Sequence, residues 1–287
     1  MSLASDDTAF AIGYVRRMRG GAQAHLLHCS DGCYYVVKFS NNPQDVRVLA
    51  NEMFVSRLGR ALGLPVPIAK VINVSRSFIS STNGLTIQKG HSSVPCRSGL
   101  QFGSQYVVEP MQGKVFDFLP PGMFDSVRNI EMFAGMLVLD KWTCNCDARQ
   151  AVFWRKQHQQ RYTVAFVDHG YCFNCGEWNF PDSPLRGVYQ QHEVYDRVHS
   201  MDSFEPWLAR IEHLGADSVE EMASSIPIGW YRGDRKCLKL LTGRLVRRKS
   251  ELRRLIEDIP YSSLHPFRNW QTSRHELELL TKLHLGN

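Results

Sequence analysis

The sequence predicts an α+β fold of two lobes, a β-rich N-terminal part and a mainly helical C-terminal part. Three observations carry this. Residues 10–39 alternate like strands around glycine-rich bends. The apolar period turns helical over 45–62 and again over 132–142. A pair of short strands near 151–167 then interrupts the helical remainder. With 287 residues, 43% of them hydrophobic, a sizeable core is within reach.

The elements follow in order. Phe10 to Arg17 reads as a strand, broken by Arg19-Gly20-Gly21-Ala22 and resumed from Ala24 to Cys29. Ser30-Asp31-Gly32 is a turn signal, and Tyr34 to Phe39 is rich in aromatic and β-branched residues, as a strand should be. Val48, Leu49, Phe54, Val55, Leu58 and Leu62 fall at helical intervals, and Gly63 closes that helix with Pro65 and Pro67 beyond it. Lys70 to Ser80 is strand-like. Residues 82–99 are polar and Gly/Ser-rich, hence a loop. Leu100 to Glu109 and Val115 to Leu119 read as strands, and Pro120-Pro121-Gly122 breaks the chain. Met132 to Trp142 is one buried helix, Cys144 to Gln150 a loop, and 151–155 with 162–167 a strand pair ending at Asp168-His169-Gly170. Beyond Trp178 the chain reads as mainly helical.

Composition excludes several classes. Aromatic residues at 11% and charged residues at 22% are ordinary globular values, so wholesale disorder is not expected. No apolar run approaches the roughly 20 residues of a membrane helix. The start, Met-Ser-Leu-Ala-Ser-Asp-Asp, lacks the apolar stretch of a secretory signal, so a cytoplasmic protein is expected. The net charge of +6 permits an anionic substrate without demanding nucleic acid. Basic residues from Arg232 to Arg254 interleave with leucines at helical spacing, which reads as an amphipathic helix with a solvated basic face. The eight cysteines, including the lone pair Cys172 and Cys175, read as free packing thiols.

One ordered set of residues points to chemistry. A glycine bend precedes a strand lysine, Lys38. A helical glutamate, Glu52, follows it. An apolar helix leads to a loop aspartate, Asp147, and a strand pair ends in Asp168-His169-Gly170. Phosphoryl transfer from ATP uses these residue types in this order. Glycine lets backbone N–H groups approach phosphate, and a strand lysine held by a helical glutamate supplies a fixed cation. One aspartate receives the acceptor proton, and the other holds magnesium.

The set Arg19 to His25, Val36-Val37-Lys38-Phe39, Asn51-Glu52 with Gly63-Leu-Pro-Val-Pro67, Asp140 to Gln150 and Val167-Asp168-His169-Gly170 resembles the HipA-like kinases, relatives of the phosphatidylinositol kinases. The resemblance spans roughly residues 10–255. It implies one kinase-like domain over 1–287, with an N-terminal lobe at 8–112 and a C-terminal lobe at 113–287. Gly20, Gly21, Ala22 and Gln23 would line a phosphate loop. Lys38 would contact ATP, Glu52 would pair with it, Asp147 would be catalytic, and Asp168 with Gln150 would bind Mg2+. The adenine hinge falls at Val107-Val108-Glu109, with Glu109 as the contact, or at Val115-Phe116-Asp117. A protein Ser/Thr substrate and an antitoxin-like partner follow from the resemblance alone.

The pattern is not complete. Kinases usually keep Asn five residues after the catalytic aspartate, and position 152 is Val. Gln150 would replace it in a shorter loop. Asp140 with Asn145 has the full spacing and forms the rival loop. The missing Asn also motivates a second reading, a nucleotide-binding pseudokinase or interaction module. A third is a zinc-binding nucleic-acid adaptor built on Cys144, Cys146, Cys172 and Cys175 with the basic helix. Neither needs a membrane.

Overall fold

The computed structural model describes residues 8–271, a mixed α+β chain. Met1–Asp7 and the end of the expected C-terminal part, 272–287, lie outside the described residues. The elements run β1 (Thr8–Arg17), β2 (His25–Cys29), β3 (Tyr34–Lys38), α1 (Arg47–Ala61), β4 (Ala69–Val74), α2 (Arg76–Ser81), β5 (Thr86–Lys89), β6 (Ser92–Pro95), β7 (Gly99–Gln105) and β8 (Gly113–Phe116). There follow α3 (Met132–Thr143), β9 (Gln150–Lys156), β10 (Thr163–Val167), α4 (Glu205–His213), α5 (Ala216–Ser224), α6 (Arg235–Arg247) and α7 (Leu252–Glu257).

Five strands close a barrel in the order β1-β2-β3-β7-β4. The closing pair, β1 on β4, is parallel, with Thr8 opposite Val71; the other neighbours are antiparallel. Closure leaves no barrel edge exposed to another chain. A small core of Leu27, Tyr35, Val37, Phe39, Ile72 and Val74 sits here, joined by Leu85 and Ile87 of the β5–β6 hairpin. β8, β9 and β10 form a separate antiparallel sheet.

α1 belongs to the larger core. Leu49, Met53, Phe54, Val55 and Leu58 are all buried among side chains from α3 and the later helices. The helix is covered on nearly every side, which is why its apolar pattern is broad. Gly63 ends it at φ +72°, a left-handed conformation that a side chain would strain.

Several expected elements differ. Lys70 to Ser80 is not one strand: β4 stops at Val74, and the Ser75 side chain accepts from Phe78 N at 3.0 Å, capping α2. The expected loop at 82–99 contains the β5–β6 hairpin, whose apolar positions Ile87 and Val94 pair across the strands. Gln150 begins β9 rather than ending a loop. Residues 178–204 are mostly turns, and long helices resume only at Glu205. The basic stretch divides between α6 and α7. Arg248 turns inward, paired with Asp182 at 2.7 Å and stacked over Phe180, so that face is not wholly solvated. Among the described residues no helix is long and apolar enough to cross a membrane.

Candidate active site

A cavity of roughly 720 Å³ opens between the barrel and the β8–β9–β10 sheet. This falls within the size range of small-molecule sites. Its walls come from four places in the chain that the sequence pattern had ordered.

The first wall is the bend between β1 and β2. Met18 N donates to Ala24 O at 2.8 Å and Gln23 N to Gly20 O at 3.1 Å, which draws residues 19–23 into a tight turn. Gly20 sits at φ +116°, which a side chain rarely adopts. Gly20, Ala22 and Gln23 line the cavity, whereas Gly21 does not. The Gln23 side chain is already engaged: its amide donates to Gln88 O at 2.8 Å, and its carbonyl accepts from Gln88 N at 2.7 Å and from Arg17. Gln23 therefore ties the bend to β5.

The second wall is an ion trio. Lys38, at the end of β3, donates to Glu52 Oε1 and, at 2.7 Å, to Asp168 Oδ1. Lys38 is 7% exposed and Glu52 1%. Burial works against the Lys38 charge, but the two carboxylates outweigh it and hold its pKa above the ordinary lysine value. Glu52 is pushed up by burial, with Lys38 only partly offsetting this. Burial also acts to raise Asp168, yet Lys38 prevails and holds that carboxyl down at about 2. With both carboxylates ionised the trio carries a net negative charge, and the Asp168 side chain is still 26% exposed on the cavity side.

Asp168 follows β10 at φ +62°, a left-handed conformation that costs about 1–2 kcal/mol for a residue with a side chain. The next residues hold it there. His169 N donates to Glu52 Oε2 at 3.0 Å. A Cβ at Gly170 would lie 2.6 Å from Val48 Cγ1, so only glycine lets the chain pass this close to α1. His169 is buried, and its pKa falls well below the ordinary imidazole value, by burial first and then by the Arg149 charge.

The loop after α3 forms the third wall. Asp147 and Gln150 are exposed and line the cavity. Asp140 and Asn145, the rival pair, are each 1% exposed and do not. They support the loop from below. Asn145 donates to Asp140 Oδ1 at 3.0 Å and accepts from Asp147 N at 3.2 Å. Arg149 grips Asp140 with two bonds, 2.5 and 2.8 Å, and donates to Val167 O at 2.8 Å. One buried guanidinium thus joins α3, the Asp147 loop and the end of β10. Asp140→Ala would leave that charge unpaired, a loss of about 3–5 kcal/mol. Urea unfolding is expected to show this, and a change under about 1 kcal/mol would contradict it.

The fourth wall is an apolar slot of Val36, Val107, Val115, Val152 and Val167. Asp117 lines it, whereas Glu109 is exposed and does not reach the cavity. The expected Glu109 contact is therefore not supported: Tyr106 and Val107 line the cavity on one side and Val115 and Asp117 on the other, and Glu109 lies outside it. Reading the sequence named Val107, Val115 and Asp117 within its two hinge candidates and missed Arg149 and the remaining valines of the slot. Arg149 could have been noticed between Asp147 and Gln150. The valines look like any strand residue until the cavity is formed. The cysteines are all free, and among the described residues no three His, Cys, Asp or Glu side chains converge as a zinc site requires.

Asp168 and Gln150 offer hard oxygen donors at the cavity wall, which fits magnesium carrying waters and phosphate oxygens as its remaining ligands. Lys38 and the unobstructed backbone at Gly20 suit a phosphate chain, and the valine slot suits a flat apolar base.

Comparison with known proteins gives the family and the fold. A family model described as HipA-like kinase matches residues 12–261. No curated protein matches the chain. Among solved structures, the Helicobacter pylori proinflammatory kinase CtkA is 14% identical with a TM-score of 0.57, over 88% of this chain and 99% of that one. A Golgi casein kinase is 11% identical with a TM-score of 0.51, over 88% of this chain and 74% of that one. At these identities the likeness is one of fold. The family match covers most of the chain, and the chain belongs to the HipA-like kinase family.

Proposed function

We propose that the protein transfers the γ-phosphate of ATP to a hydroxyl, a Ser or Thr of a protein, with magnesium. The observation that carries this reading is Lys38 held between Glu52 and Asp168 on one wall of a cavity whose other walls are the glycine bend and Asp147. Residues 8–112 would hold the nucleotide, and residues from 113 onward would present the acceptor.

The roles follow from position. Backbone N–H groups at Gly20 and Ala22 face the phosphates, and Lys38 donates to them while Glu52 fixes its ammonium. Asp168 and Gln150 would hold the magnesium ion, which would supply positive charge to offset that building on the phosphate oxygens. Asp147 accepts a hydrogen bond from the acceptor hydroxyl, orients its oxygen toward the phosphorus and receives its proton as the new P–O bond forms and the bond from the γ-phosphorus to the β–γ bridging oxygen breaks, with ADP as the leaving group. Arg149 acts from behind, keeping the Asp147 loop against β10. Gln150 replaces the usual Asn because β9 begins at that residue, which shortens the loop.

The test is incubation of the protein with labelled ATP, magnesium and a cell lysate, followed by mass spectrometry of the labelled species. Phosphoserine or phosphothreonine on a protein is expected. Label on a small molecule would correct the substrate class. Tight ATP binding with no transfer to any acceptor would favour a nucleotide-binding module instead.

A further inference from the structure

We propose that Asn51 is a positioning residue that holds the segment 169–178, and through it Asp168, in working geometry without a covalent switch. The working part of this inference rests on the reading of Asp168 as a metal ligand. Asn51 lies on α1 immediately before Glu52 and is 1% exposed. Its amide nitrogen lies 2.8 Å from Gly170 O, 3.0 Å from Cys172 O and 2.7 Å from Cys175 O. Its carbonyl oxygen accepts from Trp178 Nε1 at 2.8 Å. An indole N–H only donates, so the oxygen must face Trp178 and the NH2 group must face the three carbonyls. The orientation of the amide is therefore set by chemistry.

The segment has other ties, Cys172 N to His169 O at 3.1 Å, Phe173 N to Thr143 O at 2.7 Å and Arg47 to Gly176 O among them, and Asn51 adds the bonds to the Gly170, Cys172 and Cys175 carbonyls. Phe173, Asn174 and Cys175 stand consecutively in the left-handed region, with φ of 57°, 56° and 59°, and Trp178 is at 54°. Such a run persists only where its surroundings over-determine it. Removing the Asn51 amide would leave buried carbonyls unpaired and free the run to relax. The first bond of the set is to Gly170, two residues from Asp168, and the neighbouring Glu52 holds His169 N. Two successive residues of α1 thus grip the chain on the side of Asp168 away from β10.

Kinases of other families order the corresponding segment with a phosphorylated hydroxyl paired to arginine. Over 169–178, the segment that Asn51 holds, this chain has no Ser or Thr and its only hydroxyl is Tyr171; the next Ser is Ser183. The Asn51 amide does the ordering permanently. The segment is expected to be in place in the unmodified protein, with no activation step.

Hydrogen exchange of the full chain without nucleotide tests the latch. In Asn51→Ala, amides of 169–178 should exchange at least tenfold faster than in the wild type, while those of β2 and β3 stay unchanged. Calorimetry tests the positioning. The magnesium needed to half-saturate ATP binding should rise at least tenfold, with ATP binding in a chelator unchanged. Trp178→Phe removes only the donor to the Asn51 carbonyl and should shift both readouts in the same direction by about threefold; it carries the test if Asn51→Ala does not fold. Unchanged exchange at 169–178 overturns the latch. Faster exchange with an unchanged magnesium requirement overturns the positioning role. Wild-type protein that binds ATP equally with and without magnesium refutes the reading of Asp168 instead, and the exchange result still decides the latch.

Discussion

Asp168→Asn is expected to remove the magnesium-dependent part of ATP binding. The carboxylate lines the cavity beside Lys38 with its side chain 26% exposed, whereas the Glu52 carboxylate on the other side of Lys38 is buried. An amide keeps the shape but not the charge, and a hard divalent cation discriminates strongly between them. Residues that merely orient metal ligands cost about 10–100-fold in affinity when lost, so the ligand itself should cost at least tenfold. Calorimetric titration of ATP with and without magnesium measures this directly. The pH dependence has a definite sign. Burial raises the Asp168 pKa, but Lys38 prevails and keeps it at about 2, below the unfolded carboxyl value near 3.8. The group stays ionised throughout the neutral range and well into acid. Its contribution to stability is present above pH 4 and disappears as pH falls through about 2. Magnesium–ATP binding that titrates away between pH 7 and 5 would therefore not be the titration of Asp168.

Lys38→Ala should lower turnover on the order of 10²–10³-fold, the loss typical of a preorganised charge aimed at the reacting group. The protein should stay folded. Removing the ammonium leaves Glu52 and Asp168 facing each other, and Glu52, already pushed up by burial, can take a proton and relieve the repulsion. Glu52→Gln tests the same trio from the other side. It leaves Lys38 with Asp168 alone, draws the ammonium toward the metal ligand, and should cost at least about tenfold in turnover. Steady-state kinetics at saturating ATP reads both. Normal turnover in Lys38→Ala would remove the lysine from the chemistry, and a variant that unfolds would make it a structural ion.

The meeting of Lys38, Glu52 and Asp168 was legible because these residues lie in, or directly follow, strongly periodic elements. Lys38 terminates an aromatic and β-branched strand, Glu52 sits in a long apolar helix, and Asp168 follows a short strand with Gly170 two residues on. Lys38 and Glu52 lie where local pattern fixes the backbone, whereas Asp168, at φ +62°, is held by the tertiary contacts of His169 and Gly170. The choice between the two loops was not legible from spacing. Asp140 and Asn145 have the spacing usual in kinases, but Arg149 draws both into the interior, and only burial separates them from Asp147 and Gln150. The β5–β6 hairpin was missed because a polar, glycine-containing stretch reads as loop until Ile87 finds the barrel core. Glu109 was misplaced because two adjacent strand-like stretches offered equivalent hinges and the turn between them is set by tertiary packing. Asn51 and Gln23 illustrate the same limit: an amide that bonds distant backbone leaves no trace in local composition.

The central claim is that Asp147 serves the acceptor and Asp168 the metal-bound nucleotide. It is tested most directly by measuring γ-phosphate transfer and magnesium–ATP affinity together in Asp147→Asn. The account predicts wild-type affinity with transfer reduced about 10²–10⁴-fold, because a general base is lost while the ground-state complex is untouched. Transfer at the wild-type rate in a variant that binds magnesium–ATP normally would contradict it.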